Sequence, residues 1–281
     1  MGRLVRVDAE LVRRNLAKSR SEAAALIRMG AVFLDGGEVT KPARQMDPAQ
    51  ALLVREDASE HYVSRGAYKL AGALDYLGEQ APRVQGAIAL DAGASTGGFT
   101  DVLLRRGATH VYAVDVGYGQ IAWRLREDTR VTVIERTNVR TLDPALVTPK
   151  AGLVVGDLSF ISLKLVMPAL VRASAADAHF LLMVKPQFEV GKDRLGHGGV
   201  VRDPALHVET VTDVARAARA EGLAIQAVAP SPLPGPAGNV EYFLHMAKDG
   251  PDLLGDGLED AVREAVHNGP AGKLGRLAHE D

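Results

Sequence analysis

Cysteine is absent from all 281 residues. That excludes disulfides, zinc–thiolate sites and a cysteine nucleophile. Long apolar runs are missing too. No stretch reaches the roughly 18 uninterrupted apolar residues of a membrane-spanning helix. Residues 1–20 carry Arg3, Arg6, Arg13, Arg14, Lys18 and Arg20 among apolar positions, a pattern of neither a signal peptide nor a membrane anchor. The eight histidines show no His-x-x-x-His or similar ligand spacing, so no metal is expected. Charge of one sign is not in excess: 33 Lys and Arg stand against 35 Asp and Glu, for a net of −2. Any surface for nucleic acid must therefore be local. Tryptophan occurs once, at Trp123 in an amphipathic stretch, where a core position is expected rather than an RNA-stacking platform. A cytoplasmic protein with no membrane contact and no evident obligate protein partner is the expectation.

What is present is ordinary for a globular chain: 47% hydrophobic and 24% charged residues, in a length suited to about two domains. The first 57 residues differ from the rest. Arg3 to Arg44 hold nine basic against five acidic residues. We read a small basic domain over 1–57, a polar linker over 58–63, a larger domain over 64–250, and a helix with a frayed tail over 251–281. In the small domain Asp8 is a plausible cap for a helix ending near Leu16. Ser19 and Glu22 form a capping box for a second helix ending at Gly30, with Ala23, Leu26 and Ile27 as its buried stripe. Val32–Leu34 and Leu52–Val54 read as strands, with Asp35-Gly36-Gly37 as a turn.

The basic residues Arg6, Arg13, Arg14, Lys18, Arg20, Arg28 and Lys41 could be a solvated face and nothing more. The helix–helix–turn–strand order of Arg13–Met29, followed by Gly30–Gly36 and Lys41-Pro42, resembles the small RNA-binding module first seen in ribosomal protein S4. RNA contact is the reading that this resemblance implies; arginines can fork onto phosphates and stack on bases.

The larger domain alternates short apolar runs with helical patterns. Ala87–Asp91, His110–Asp115, Val131–Glu135, Leu153–Asp157, Phe180–Lys185 and Leu223–Ala229 read as strands. Phe99–Arg106, Ile121–Arg126, Ser162–Arg172 and Pro204–Glu221 read as helices. The alternation predicts an α/β fold of Rossmann-like type: a parallel sheet with helices on both faces. An extra helix, Arg65–Leu77 with Ser64 as its cap, precedes the first strand. A last strand, Val240–Met246, follows the proline-rich turn Pro230–Pro236, whose four prolines forbid helix and suit a hairpin-like connection, and a short helix is expected around Leu258–Val266.

Asp91-Ala92-Gly93-Ala94-Ser95-Thr96-Gly97-Gly98-Phe99 sits where a strand hands over to a helix, and Asp115 ends the next strand. Dinucleotide folds use the same geography. Their fingerprint, however, wants glycine where Ser95 stands, because a pyrophosphate lies on that backbone. The carboxylate of Asp91 repels pyrophosphate and suits a cationic amino-acid group. S-adenosylmethionine, an ammonium and a sulfonium with no phosphate, fits better. A dinucleotide and a purely structural glycine turn stay as alternatives. Asp115 would hold the ribose diol, and Asn138 either meets the adenine edge or only caps a turn.

Four ionisable residues fall at or beside strand ends: Lys69, Asp157, Lys185 and Glu241. Singly, each reads as an ordinary exposed or salt-bridged charge. Lys185 closes the apolar run Phe180–Val184 and is followed by Pro186, and Asp157 directly follows another apolar strand. Lys–Asp–Lys–Glu is the set found in ribose 2′-O-methyltransferases. With Ser64-Arg65-Gly66-Ala67-Tyr68-Lys69-Leu70, Asp91–Thr100, Ala113–Gln120, Glu135–Asn138, Asp157–Leu163 and Lys185–Gly191, the chain resembles the TlyA family, with the methyltransferase fold shared by FtsJ. The resemblance runs from about Arg3 to Lys248. It implies S-adenosylmethionine-dependent methylation of cytidine 2′-hydroxyls in ribosomal RNA. Some members act on both 16S and 23S rRNA, others on 23S alone; the family also carries an old haemolysin label.

A ribose hydroxyl is a poor nucleophile near neutral pH, and a lysine can take its proton only if desolvation or a nearby cation lowers the lysine pKa. We assign Lys185 to the 2′-oxygen and Asp157 to orienting it, with Lys69 and Glu241 positioning the ribose and balancing charge. Gly191–Gly199, glycine-rich and basic, is either a connector or a loop that closes over RNA. Two other classes compete: a non-catalytic rRNA-binding assembly factor and a pore-forming haemolysin. The intact four-residue set opposes the first. The lack of a long apolar segment and of an amphipathic barrel repeat opposes the second.

Overall fold

The computed structural model describes residues 4–17, 19–28, 30–54, 62–235 and 238–270. The chain divides into two compact units, Met1–Arg65 and Gly66–Asp281. The expected linker lies largely, and the expected frayed tail mostly, outside the described residues.

In the first unit, strand β1 (Val5–Arg6) leads into helix α1 (Val7–Arg13), followed by helix α2 (Arg20–Arg28). Glu22 N–H donates to Ser19 Oγ at 3.2 Å, half of the expected capping box. β2 (Val32–Leu34), β3 (Gly37–Glu38) and β5 (Leu52–Val54) form an antiparallel sheet in the order β3-β2-β5. Asp35 and Gly36 both have positive φ, 48° and 81°, as a two-residue hairpin turn of the primed type requires. β4 (Gln45–Met46) pairs with β1, a ribbon the sequence pattern did not reveal. Val7, Leu11, Ile27, Val32, Leu34 and Met46 form the core of this unit. Asp8 is not a helix cap. Arg6 holds the cap position, and the buried Asp8 carboxylate instead accepts from Arg6 and Arg20.

In the second unit, helix α3 (Ala67–Leu77) precedes a seven-stranded sheet. Its cap residue is Gly66, with no side-chain bond, so Ser64 does not play the expected role. The strands are β6 (Ile88–Ala92), β7 (His110–Val114), β8 (Val131–Ile134), β9 (Ala151–Gly156), β10 (Ser174–Val184), β11 (Ala224–Pro230) and β12 (Tyr242–Ala247). Their order is β11-β12-β10-β9-β6-β7-β8. β10-β9-β6-β7-β8 are parallel; β12 slots antiparallel between β10 and β11. The sheet is thus mixed rather than all-parallel, because the short proline-rich connection can only return the chain as a hairpin.

Helices α4 (Gly98–Arg105), α6 (Leu163–Ala173), α8 (Pro204–Ala220) and α9 (Leu258–Asn268) carry buried apolar faces. Helix α5 is a single turn, Trp123–Arg126. It is too short to bury its first residue, and Trp123 is 72% exposed, against the expectation of a core position. The chain runs from β6 outward to β8 and then returns through β9 to β10. The carboxyl ends of β6 and β9 therefore flank a topological switch point, where open α/β sheets bind ligands.

Candidate active site

A cavity of about 420 Å³ opens at that switch point. The turn after β6 contributes Gly93 and Ser95, and the segment after β7 adds Asp115, Val116 and Gln120. Asn138 and Val139 follow β8, residues 157–161 follow β9, and Val166 comes from α6. Among the described residues two carboxylates, Asp115 and Asp157, line it, and no lysine or arginine does. Such a lining opposes a pyrophosphate and suits a cationic ligand.

The Asp115 carboxylate is held before any ligand arrives. Ser95 N–H donates to Oδ2 at 2.8 Å and Gly117 N–H to Oδ1 at 2.7 Å. Its remaining lone pairs are fit to accept the two hydroxyls of a ribose diol. Gly93, at φ 84°, packs on the next strand's turn: a Cβ there would stand 3.0 Å from the Asp157 carbonyl oxygen. That glycine lets the β6 and β9 turns close on each other and brings Asp157 to the cavity wall.

Asn138 lines the cavity and also caps the short turn Val139–Thr141, accepting from Arg140 N–H at 3.0 Å. Asp91 lies beneath the glycine turn, fully buried. One of its oxygens accepts from Thr100 Oγ1 at 2.7 Å, and the other has no partner. Burial pushes this carboxyl up to about 7. Asp91 is not itself among the cavity-lining residues, though an orphaned buried oxygen of this kind suits a ligand ammonium.

Gly97, Gly98 and Phe99, expected to bind the cofactor, do not line the cavity. A Cβ at Gly97 would meet Leu125 Cδ1 at 2.3 Å, so that glycine serves packing against α5. Gly98 begins α4. Phe99 is buried in the core, its ring centroid 6.0 Å from that of Phe243.

Beside the cavity the four ionisable residues meet. Lys185, immediately after β10, forms an ion pair with Asp157 Oδ1 at 2.5 Å and donates to Ser159 Oγ at 2.9 Å. Asp157 Oδ2 is 3.7 Å from Lys69 Nζ, which in turn donates to Glu241 Oε2 at 2.5 Å. Lys69, Lys185 and Glu241 are 8%, 7% and 2% exposed. Two cations and two anions in a row make the group neutral as a set, which is how buried charges persist. Asp157 alone belongs to both the row and the cavity lining.

Several site residues escaped the sequence reading. Ser159 and Gln120 line the cavity, and Gln187 Nε2 donates to Glu241 Oε1 at 3.4 Å. Phe160 also lines it, is 90% exposed at φ 63°, and stacks 5.1 Å from Phe188. The usable signal was adjacency: Ser159 and Phe160 share a loop with Asp157, and Gln187 follows Lys185 by two.

In the first unit, Asp8 pairs with Arg6 at 2.7 Å and Arg20 at 3.1 Å. Glu10 pairs with Arg13 at 2.6 Å and Arg14 at 2.8 Å. These arginines hold both carboxyls down at about 2. Arg6, Arg13 and Arg20 remain well exposed. Arg14 is spent internally, also donating to the Pro48 carbonyl at 2.7 Å. Lys41 is exposed. Lys18 and the side chain of Arg28 lie outside the described residues.

Known proteins match this organisation. The FtsJ-like methyltransferase family covers residues 62–248 and the S4 domain residues 5–50. The chain is 55% identical over 271 residues to the 16S/23S rRNA (cytidine-2′-O)-methyltransferase TlyA of Mycobacterium tuberculosis, covering 96% of this chain and 100% of that protein. It is 32% identical to the 23S rRNA (cytidine-2′-O)-methyltransferase TlyA of Campylobacter jejuni, over 85% and 98% of the two chains. A solved structure from Streptococcus thermophilus that carries a hemolysin name superposes with a TM-score of 0.73 at 34% identity, covering 99% of each chain. The chain belongs to the TlyA family, an S4 domain followed by an FtsJ-like methyltransferase domain.

Proposed function

We propose that this protein transfers a methyl group from S-adenosylmethionine to the 2′-hydroxyl of cytidine in ribosomal RNA. The observation that carries the reading is the neutral buried row Lys185–Asp157–Lys69–Glu241 set against a cavity walled by Asp157. The donor, when bound, supplies an electrophilic methyl on sulfonium. Asp115 would hold its ribose, the unpartnered oxygen of Asp91 its ammonium, and Asn138 its adenine edge.

The chain's own residues then deal with the hydroxyl. Lys185 contacts the 2′-oxygen; an ammonium has three donors, of which Ser159 Oγ engages one, while Asp157 is its ion-pair partner. Asp157, ion-paired to Lys185 at 2.5 Å, orients its amino group, and Lys185 in its neutral form takes the hydroxyl proton as the oxygen attacks. Lys69 and Glu241 fix Asp157 from the far side and keep the set neutral. The low exposure of Lys69, Lys185 and Glu241 limits the water that would compete for these groups.

The first unit anchors rRNA through Arg6, Arg13, Arg20 and Lys41, with Lys18 and Arg28 as further basic positions. A ribosomal RNA substrate supports a cytoplasmic setting. The relatives named for 16S and 23S rRNA make both subunits substrates to be tried, with 23S common to both. The experiment is transfer of labelled methyl to separated 30S and 50S subunits, followed by mapping of the modified nucleotide by its resistance to alkaline cleavage. A 2′-O-methylcytidine is expected; a base-methylated product, or none, would refute the reading.

A further inference from the structure

Two loops carry the reactive pair. Residues 157–162 link β9 to α6 and hold Asp157 and Ser159. The single turn α7 (Pro186–Glu189) begins directly after Lys185. Three rungs tie these loops together. Lys185 reaches Asp157 and Ser159 at one end, and the Phe188 ring lies 5.1 Å from that of Phe160 in the middle. At the far end Glu189 Oε2 accepts from Ser162 Oγ at 2.6 Å, and Oε1 accepts from Leu163 N–H at 2.8 Å.

Glu189 therefore caps the start of α6 from another element, where Ser162 already accepts from Lys164 N–H at 3.2 Å. A carboxylate is well placed on free N–H groups at a helix start. Yet burial outweighs these bonds and raises the Glu189 carboxyl above its ordinary value.

We propose that Glu189 is a positioning residue for methyl transfer. By pinning α7 to the first turn of α6 it fixes where Lys185 enters the site relative to Asp157 and Ser159. It touches none of the reacting atoms and acts only through Lys185. The proposal rests on the methyltransferase reading above, and the test keeps the two apart.

The variants are Glu189→Ala and Glu189→Gln in the full chain. Glutamine keeps an acceptor for Leu163 N–H, and its amide can donate to Ser162 Oγ, which has a lone pair to offer. Alanine keeps neither bond. Kinetics with S-adenosylmethionine and 50S subunits, well below the melting temperature, should show kcat of Glu189→Ala down about 10–100-fold, the range expected of a group that orients a reacting residue. KM should stay within a few-fold, and Glu189→Gln should recover most of the rate.

A second readout needs no turnover. Acetylation of Lys185 by acetic anhydride, read by peptide mass spectrometry, should rise several-fold in Glu189→Ala over wild type and not in Glu189→Gln. Equal acetylation in all three proteins, equal kcat loss in both variants, or a KM effect with unchanged kcat would each overturn the proposal. Wild-type transfer to neither subunit would instead overturn the methyltransferase reading, while the acetylation ratio would still decide the role of Glu189.

Discussion

Replacing Asp157 by asparagine removes one charge from a row of four while keeping the side chain's size. Lys185 keeps Ser159, and Lys69 keeps Glu241. The set becomes net positive in a site where both lysines are nearly buried. Breaking a fully buried pair costs about 3–5 kcal/mol. The Asp157 side chain is 22% exposed, so solvent screening lowers the expectation to about 2 kcal/mol. Urea unfolding would measure this. Methyl transfer should fall roughly 10²–10⁴-fold, as for loss of a positioned acid–base group.

The informative variant is the double, Asp157→Asn with Lys185→Met. It removes one charge of each sign and leaves the Lys69–Glu241 pair intact. Stability should return to within about 1 kcal/mol of wild type, since neighbouring substitutions couple. Activity should be no better than in the worse single variant, because groups that act together are not additive. If the double variant's stability loss equals the sum of the singles, the row is not an energetic unit and the reasoning fails.

The remaining predictions concern the donor, the RNA and pH. Asp115→Ala removes the acceptor of Ser95 and Gly117 N–H, and calorimetry should show S-adenosylmethionine binding weakened at least tenfold with the fold retained. Arg6→Ala with Arg20→Ala should leave donor affinity unchanged but lower the slope of log affinity for 50S subunits against log salt by about 1–2, roughly one for each phosphate no longer neutralised. Asp91 is raised by burial to about 7, so the folded state holds its proton where the unfolded chain has lost it. Stability from this group is full below pH ~4 and lost as pH rises toward ~7. Asp91→Asn should flatten the dependence of melting temperature on pH between 5 and 7; an unchanged slope would remove Asp91 from the account.

Legibility in the sequence followed physical scale. Strands β7, β8 and β9 are short apolar runs rich in valine, and they appear within a residue or two of where the pattern put them. Orientation was harder. β12 is buried on both faces, so its residues alternate no differently from a parallel strand, and only its connection reveals the reversal. Trp123 misled because an amphipathic pattern does not state helix length. Asp8 misled because a carboxylate in a helix's first turn also suits two arginines, one of them twelve residues away.

At the site, Asp157 and Lys185 were legible because each ends an apolar run, whereas Lys69 and Glu241 came from the resemblance to ribose 2′-O-methyltransferases. Glu189 was not legible, since its partners lie 26 and 27 residues earlier in another loop. Of the glycine turn, Gly93 and Ser95 face the cavity, whereas Gly97 answers to Leu125. Sequence spacing marks such a turn without saying which side each residue serves.

Single-turnover methyl transfer by Lys185→Arg tests the central claim most directly. Arginine keeps the charge and can still reach Asp157, but it stays protonated to above pH ~12 and cannot take a hydroxyl proton near neutrality. The account predicts donor and 50S affinities within a few-fold of wild type and a transfer rate lower by roughly 10²–10⁴. A wild-type rate would contradict it, leaving Lys185 as a positioning charge and water as the proton acceptor.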